Sequence, residues 1–200
     1  MDPTTLKKLR TGAVETAVGS LLAVVFLGYK IDQVAHPLDG LGYLSTKSPD
    51  RLITGAQFCS TMFAGRAPQG HVSIAAYVGG ARHPEVAGLQ EADLVHLVEV
   101  ELGELLGIKG SAVVRRVQRW PMGLPQYTLG HSDRLADIAN AHKYLPGLYL
   151  TGNYIGGVSV TNCLKTARQT ASFVDAFLQG THRNSASMIA QSPVVKAGAG

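Results

Sequence analysis

The 200-residue chain is 46% hydrophobic and 16% charged, which is enough apolar material for one domain or one and a half with a real core and excludes a disordered chain. Its net charge of +4 and pI of about 9.1 come from scattered Lys and Arg residues, the nearest thing to a cluster being Arg115, Arg116 and Arg119. No aromatic residues interleave them, so no nucleic-acid partner is expected, although a basic surface leaves room for an anionic substrate or an acidic membrane surface.

In chain order, residues 3 to 10 read as a short helix capped by Thr4 or Thr5 and ended by Gly12. The apolar run from Leu21 to Leu27 is far shorter than the ~20 residues that span a bilayer, and Val24, Val25 and Phe26 suit a strand over residues 20 to 30. The start of the chain has no apolar core at signal-peptide spacing, and Cys59 and Cys163 are the only cysteines, far apart. We therefore expect no disulfide framework, a cytoplasmic protein, and membrane contact that is at most peripheral. Pro37, Gly40 and Gly42 punctuate a connection to a short strand from Tyr43, making the first two strands hairpin-like.

A second strand pair is expected at residues 52 to 61 and 71 to 78, where Val72, Ile74, Ala76 and Val78 alternate with Ser73, Ala75 and Tyr77. Residues 90 to 106 are helical, with Leu94, Leu97, Val98, Leu102, Leu105 and Leu106 on one stripe, acids in the first turn and Gly107 at the end. Residues 111 to 120 return to strand. Ser132 then caps a helix to about Lys143, with Leu135, Ile138, Ala139 and His142 inward and Pro146-Gly147 as the stop. Leu148, Tyr149 and Leu150 read as a strand buried on both faces, Gly152, Gly156 and Gly157 as a turn of close backbone approach, and residues 157 to 178 as a helix. Its buried stripe would be Leu164, Ala167, Ala171, Val174 and Leu178, with Lys165, Arg168 and Gln169 facing away. The tail from 181 to 200 lacks period and reads as disordered. The fold class expected is α+β: an antiparallel sheet with covering helices, then a strand, glycine turn and helix.

Four runs resemble the carboxy-terminal part of the protoporphyrinogen oxidases, flavoenzymes related to the amine oxidases. They are His36-Pro-Leu-Asp-Gly-Leu-Gly-Tyr-Leu44, Met62-Phe-Ala-Gly-Arg-Ala-Pro68 with Val78-Gly-Gly-Ala-Arg82, Pro125-Gln-Tyr-Thr-Leu-Gly-His131, and Gly152-Asn-Tyr-Ile-Gly-Gly-Val-Ser-Val-Thr-Asn-Cys163. They fall in family order and the likeness extends over residues 4 to 180. It implies residues 1 to 146 as part of a substrate-binding domain, 147 to 180 as a return into an FAD-binding domain, and a protein more than twice as long.

The resemblance also implies site residues. Gly157, Val158, Ser159 and Val160 match the last flavin-contacting loop, and amides at a helix start would stabilise negative charge near N1 and the C2 oxygen of reduced flavin. Trp120 would pack near the ring system. Leu44 and Phe63, with Leu27 as a weaker third, match positions lining an apolar porphyrinogen pocket; apolar strand residues are as often simply core.

No glycine-rich dinucleotide fingerprint with its acidic partner occurs near the start, so the chain alone should bind FAD poorly and need an amino-terminal FAD-binding segment or chain as partner. The activity implied is oxidation of protoporphyrinogen IX to protoporphyrin IX with FAD and an acceptor such as oxygen. Coproporphyrinogen III oxidation and a non-catalytic binding remnant are the alternatives, and self-association is left open. No catalytic side chain stands out, the His residues lack metal-ligand spacing, and no nucleophile elbow surrounds a serine.

Overall fold

Val24, Val25, Phe26 and Tyr29 favour extended backbone in the first long strand, β1 (Gly19–Lys30), and every second side chain from Ala23 to Tyr29 is wholly excluded from solvent. With β2 (Gly42–Leu44), β3 (Ile53–Phe58), β4 (His71–Gly79) and β5 (Val114–Pro125) it builds one sheet in the order β2-β3-β4-β1-β5. The helices are α1 (Cys59–Met62), α2 (Pro84–Ala87), α3 (Glu91–Leu106), α4 (His131–Ala141) and α5 (Val160–Leu178). The structure, a computed structural model, describes residues 19–46, 48, 51–141 and 145–180. The helix expected at 3 to 10, the disordered tail expected at 181 to 200, and His142 and Lys143 lie outside these residues. The fold class is α+β.

The expected pairing of β3 with β4 is present and antiparallel, from Ile53 opposite Val78 to Phe58 opposite Ile74. The hairpin expected between the first two strands is not. Strand β1 pairs antiparallel with β4, from Leu22 opposite Gly79 to Lys30 opposite His71, while β2 lies at the sheet edge beside β3. A long apolar strand at an edge would leave a row of backbone groups unpaired, so β1 takes an interior position next to β4, whose residues from Val72 to Ala76 are all buried. The three-residue β2 can occupy an edge at little cost.

By compactness the chain forms two units, one of residues Ser20–Gly123 and one whose described residues are Gly19, 124–141 and 145–180. This boundary lies upstream of residue 147, where the sequence places the return. In the second unit Leu135, Ile138, Ala139 and Ile155 make a small core with Leu150 and Tyr154 packed on it. Two expectations are corrected here. Residues 148 to 150 are not a strand, because a strand exists only through a ladder and no described strand pairs with them. Helix α4 begins at His131, so Ser132 lies inside it.

Helix α5 begins at Val160 and buries a different stripe from the one expected. Thr166 and Thr170 face inward, their hydroxyls donating to the carbonyls of Asn162 (2.8 Å) and Thr166 (3.0 Å), which removes most of the cost of burying them. Leu164, Ala167, Ala171 and Leu178 are exposed, and of the expected stripe only Val174 is half-buried.

In the sheet unit, Leu94, Val98 and Leu102 of α3 are fully buried with the strands in one apolar cluster, each contributing on the order of 1.5–3 kcal/mol. Gly107 ends the helix in the left-handed conformation, φ 62°, and a Cβ there would meet Ala35 at 2.9 Å. One carboxylate interrupts the apolar stripe: Glu101 is 6% exposed, and its Oε2 accepts the amides of Leu52 (3.0 Å) and Ile53 (3.2 Å), tying the start of β3 to the helix. Replacing Glu101 by Ala leaves two amides unpaired and should cost about 2–4 kcal/mol in urea-induced unfolding, with Glu101→Gln losing less than half as much. An unchanged midpoint would show that the contact is not structural.

Candidate functional site

Residues 152 to 159 form a turn with neither ladder nor helix, so its backbone groups are satisfied individually. The Tyr127 hydroxyl donates to the Asn153 carbonyl at 2.7 Å, the Thr166 hydroxyl reaches the Ile155 carbonyl at 3.4 Å, and Ser159 caps α5 by accepting the Asn162 amide at 3.1 Å. Gly156 and Gly157 have φ of 79° and 119°, and any Cβ on Gly157 would collide with the Asn162 side chain. With Asn162 and Cys163 capped on Ser159, the amides of Val160 and Thr161 meet no hydrogen-bond acceptor among the described residues. Val158, Ser159 and Val160 are exposed. The result is an open, side-chain-poor helix start with free N–H groups, which favours negative charge beside it.

Behind the turn, Tyr127 and His131 stack with ring centroids 4.2 Å apart and planes 17° from parallel. His131 is 4% exposed and neither ring nitrogen has a hydrogen-bond partner among the described residues. Burial, reinforced by the Arg134 guanidinium, holds its pKa below the ordinary value despite an opposing influence of the Tyr154 carbonyl. Burial likewise pushes the Tyr127 phenol up, against the Gly157 amide, which favours its ionised form. Arg134 braces the loop from inside, donating to Thr128 Oγ1 (2.8 Å) and the Leu129 carbonyl (3.3 Å).

The other sequence-selected residues belong to the sheet unit. Leu44 is 89% exposed at the edge strand, opposite Gly55, where a Cβ would approach the Leu44 side chain to 2.9 Å. Phe63 is 53% exposed, so neither residue is core. An apolar depression of about 430 Å³ is lined by Leu41, Leu44, Gln57 and Met62, the neighbour of Phe63. Leu27, the weaker third candidate, is fully buried inside β1 and belongs to the core instead. Trp120 lies within β5, 44% exposed, rather than at a strand end.

Sequence reasoning missed three residues of interest. Arg66 stands over the Phe63 ring at 5.7 Å, and its guanidinium has no carboxylate partner among the described residues. Tyr127 and His131 sit in a run noted for its resemblance, but no periodicity marks them as partners of the later turn. Among the described residues no helix is long and apolar enough to cross a membrane.

The profile of the flavin-containing amine oxidoreductases matches residues 2–174. The chain is 38% identical over 146 residues to the chloroplastic protoporphyrinogen oxidase of Nicotiana tabacum, covering 70% of this chain and 26% of that one. It is 28% identical over 152 residues to the coproporphyrinogen III oxidase of Bacillus subtilis (strain 168), covering 76% and 32%. Among solved structures, an Exiguobacterium sp. 255-15 protein provisionally named protoporphyrinogen oxidase superposes with a TM-score of 0.69 at 23% identity, over 81% of this chain and 35% of that one, which bears on the fold alone. The chain belongs to the flavin-containing amine oxidoreductases, and FAD is the cofactor that this membership assigns. It spans between about a quarter and a third of the length of these relatives.

Two outcomes follow from the geometry. Because His131 is held neutral in the folded state and has an ordinary pKa of 6.5 when unfolded, its contribution is fully present above pH 6.5 and lost as pH falls below it. Thermal unfolding should therefore show stability falling from pH 7 toward pH 5, and a His131→Phe variant should flatten that slope. Gly157→Ala forces a side chain into Asn162 at a positive φ and should cost roughly 1–3 kcal/mol in the same assay; a neutral effect would mean that the turn is free to rearrange.

Proposed function

We propose that the chain is the carboxy-terminal portion of a porphyrinogen-oxidising flavoenzyme that converts protoporphyrinogen IX to protoporphyrin IX, with FAD and an acceptor such as oxygen, in porphyrin and haem biosynthesis. When bound, FAD supplies hydride acceptance and passes the electrons on. The chain's own part is positioning. Gly157, Val158, Ser159 and Val160 would lie against the ring edge, their backbone N–H groups offsetting negative charge there without a titrating side chain. Trp120 is kept as the candidate ring neighbour from the sheet unit.

The observation that carries the substrate reading is the exposure of Leu44 and Phe63 beside an apolar depression, with the Arg66 cation poised over the Phe63 ring. A flat macrocycle with carboxylate arms suits an apolar platform edged by a guanidinium. Protoporphyrinogen is preferred to coproporphyrinogen because the tobacco relative, named for the former, is the more similar of the two reported. Hydride removal by flavin asks chiefly for orientation, which accounts for a site without an evident acid or base.

The partner is an amino-terminal FAD-binding segment or chain. Val160, Leu164, Ala167, Ala171 and Leu178 form an exposed stripe at helical spacing along α5, and Val160, Leu164 and Leu178 are at least two-thirds exposed. A helix in water turns such a stripe inward; an uncovered one is built to be covered by another piece of protein.

Purified residues 1 to 200 should carry no stoichiometric FAD and oxidise no porphyrinogen, and regain both when mixed with a matching amino-terminal segment of a family member. Bound-flavin absorbance and porphyrin fluorescence report the two gains, with protoporphyrinogen IX turned over faster than coproporphyrinogen III. Leu164→Asp should weaken the assembly at least about tenfold by placing a charge in the covered stripe. A yellow, active chain without its partner would overturn the two-part reading.

A further inference from the structure

We infer that Tyr127 and His131 are positioning residues for the flavin-facing turn, Tyr127 by anchoring its Asn153 carbonyl and His131 by holding the Tyr127 ring in place through its flat face. The inference rests on the proposed role of residues 157 to 160. Tyr127 lies in the loop after β5 and reaches across sequence to the turn, where its hydroxyl donates to the Asn153 carbonyl at 2.7 Å. The glycine segment is thus anchored, at its start, on one phenolic oxygen. A segment with two left-handed glycines has many accessible backbone states, so an external anchor decides which one is populated.

The role of His131 is read from what it does not do. At 4% exposure an imidazole without a hydrogen bond to either nitrogen contributes through its surface, and that surface lies on the Tyr127 ring at 4.2 Å and 17°. Burial and the Arg134 guanidinium disfavour its charged form against the opposing Tyr154 carbonyl, and its pKa lies below the ordinary value. His131 is the first residue of α4, and Arg134, one turn on, fastens Thr128 and Leu129. The helix, the stack and the phenol therefore form a rigid lever from the small core to the turn. Neither residue touches the reacting atoms; each acts through the Gly156–Gly157 backbone.

Three variants test this: Tyr127→Phe, which keeps the ring and removes the anchor; His131→Ala, which removes the stack; and His131→Phe, which restores a flat face without nitrogens. In the 200-residue chain, amide hydrogen exchange of residues 153 to 161 should accelerate on the order of tenfold in Tyr127→Phe and His131→Ala, and return to the wild-type rate in His131→Phe. In the chain assembled with its amino-terminal segment, the first two should bind FAD about tenfold more weakly, with the midpoint potential of the bound flavin shifted negative, and His131→Phe should restore both. Wild-type exchange rates and flavin potential in Tyr127→Phe would overturn the inference. So would a failure of His131→Phe to rescue, which would assign the role to the nitrogens. If wild-type protein assembles but binds no flavin, the functional reading fails, and the exchange measurements alone decide whether the lever holds the turn.

Discussion

A backbone segment that belongs to no ladder and no helix must still satisfy its polar groups, and between residues 152 and 159 this is done by hydroxyls. The Tyr127 hydroxyl donates to the Asn153 carbonyl, the Ser159 hydroxyl accepts the Asn162 amide, and the Thr166 hydroxyl, which donates chiefly to its own helix at Asn162, lies 3.4 Å from the Ile155 carbonyl. These contacts come from three places in the sequence: the loop after β5, the second turn of α5, and the cap itself. The glycines then need no side chains of their own, and the start of α5 keeps the amides of Val160 and Thr161 free.

The sheet unit solves a different problem. Its edge strand β2 is three residues long and alternates, with Tyr43 half-buried and Leu44 outward over Gly55. Gly42 approaches β3 so closely that a Cβ would collide with the Ala56 carbonyl, so the edge can hug the sheet while leaving Leu44 on the surface. Behind it Glu101 holds the first residues of β3 from the helix side. An apolar side chain at an edge would ordinarily be an aggregation hazard; here it lines a shallow depression with Leu41 and Met62.

Much of the fold was legible in the sequence because the physics that sets it is local or periodic. The spacing of Leu94, Val98, Leu102 and Leu106, the acids before them and Gly107 after them specify α3 whatever lies next to it. Alternation in β4, turn residues at 64 to 70 and the antiparallel return from β3 are of the same kind. The glycine turn and its helix were visible for the same reason, and so was the family, through runs whose order survives independently of shape.

What only the tertiary structure decided depended on partners distant in the chain. Whether β1 pairs with β2 or β4 turns on which neighbour can complete the hydrogen-bond ladder along its length, and no local pattern carries that. Apolar spacing along α5 favoured the Leu164 stripe, but burial went to Thr166 and Thr170, whose hydroxyls satisfy themselves on their own helix and so lose little on leaving water. Leu148 to Leu150 has the composition of a strand and no described ladder to join. Tyr127 finds Asn153 across 26 positions. Periodicity reports which faces a segment can bury; only the assembled neighbours determine which face is buried, because free energy is lowered by the contacts made and not by the pattern that permits them.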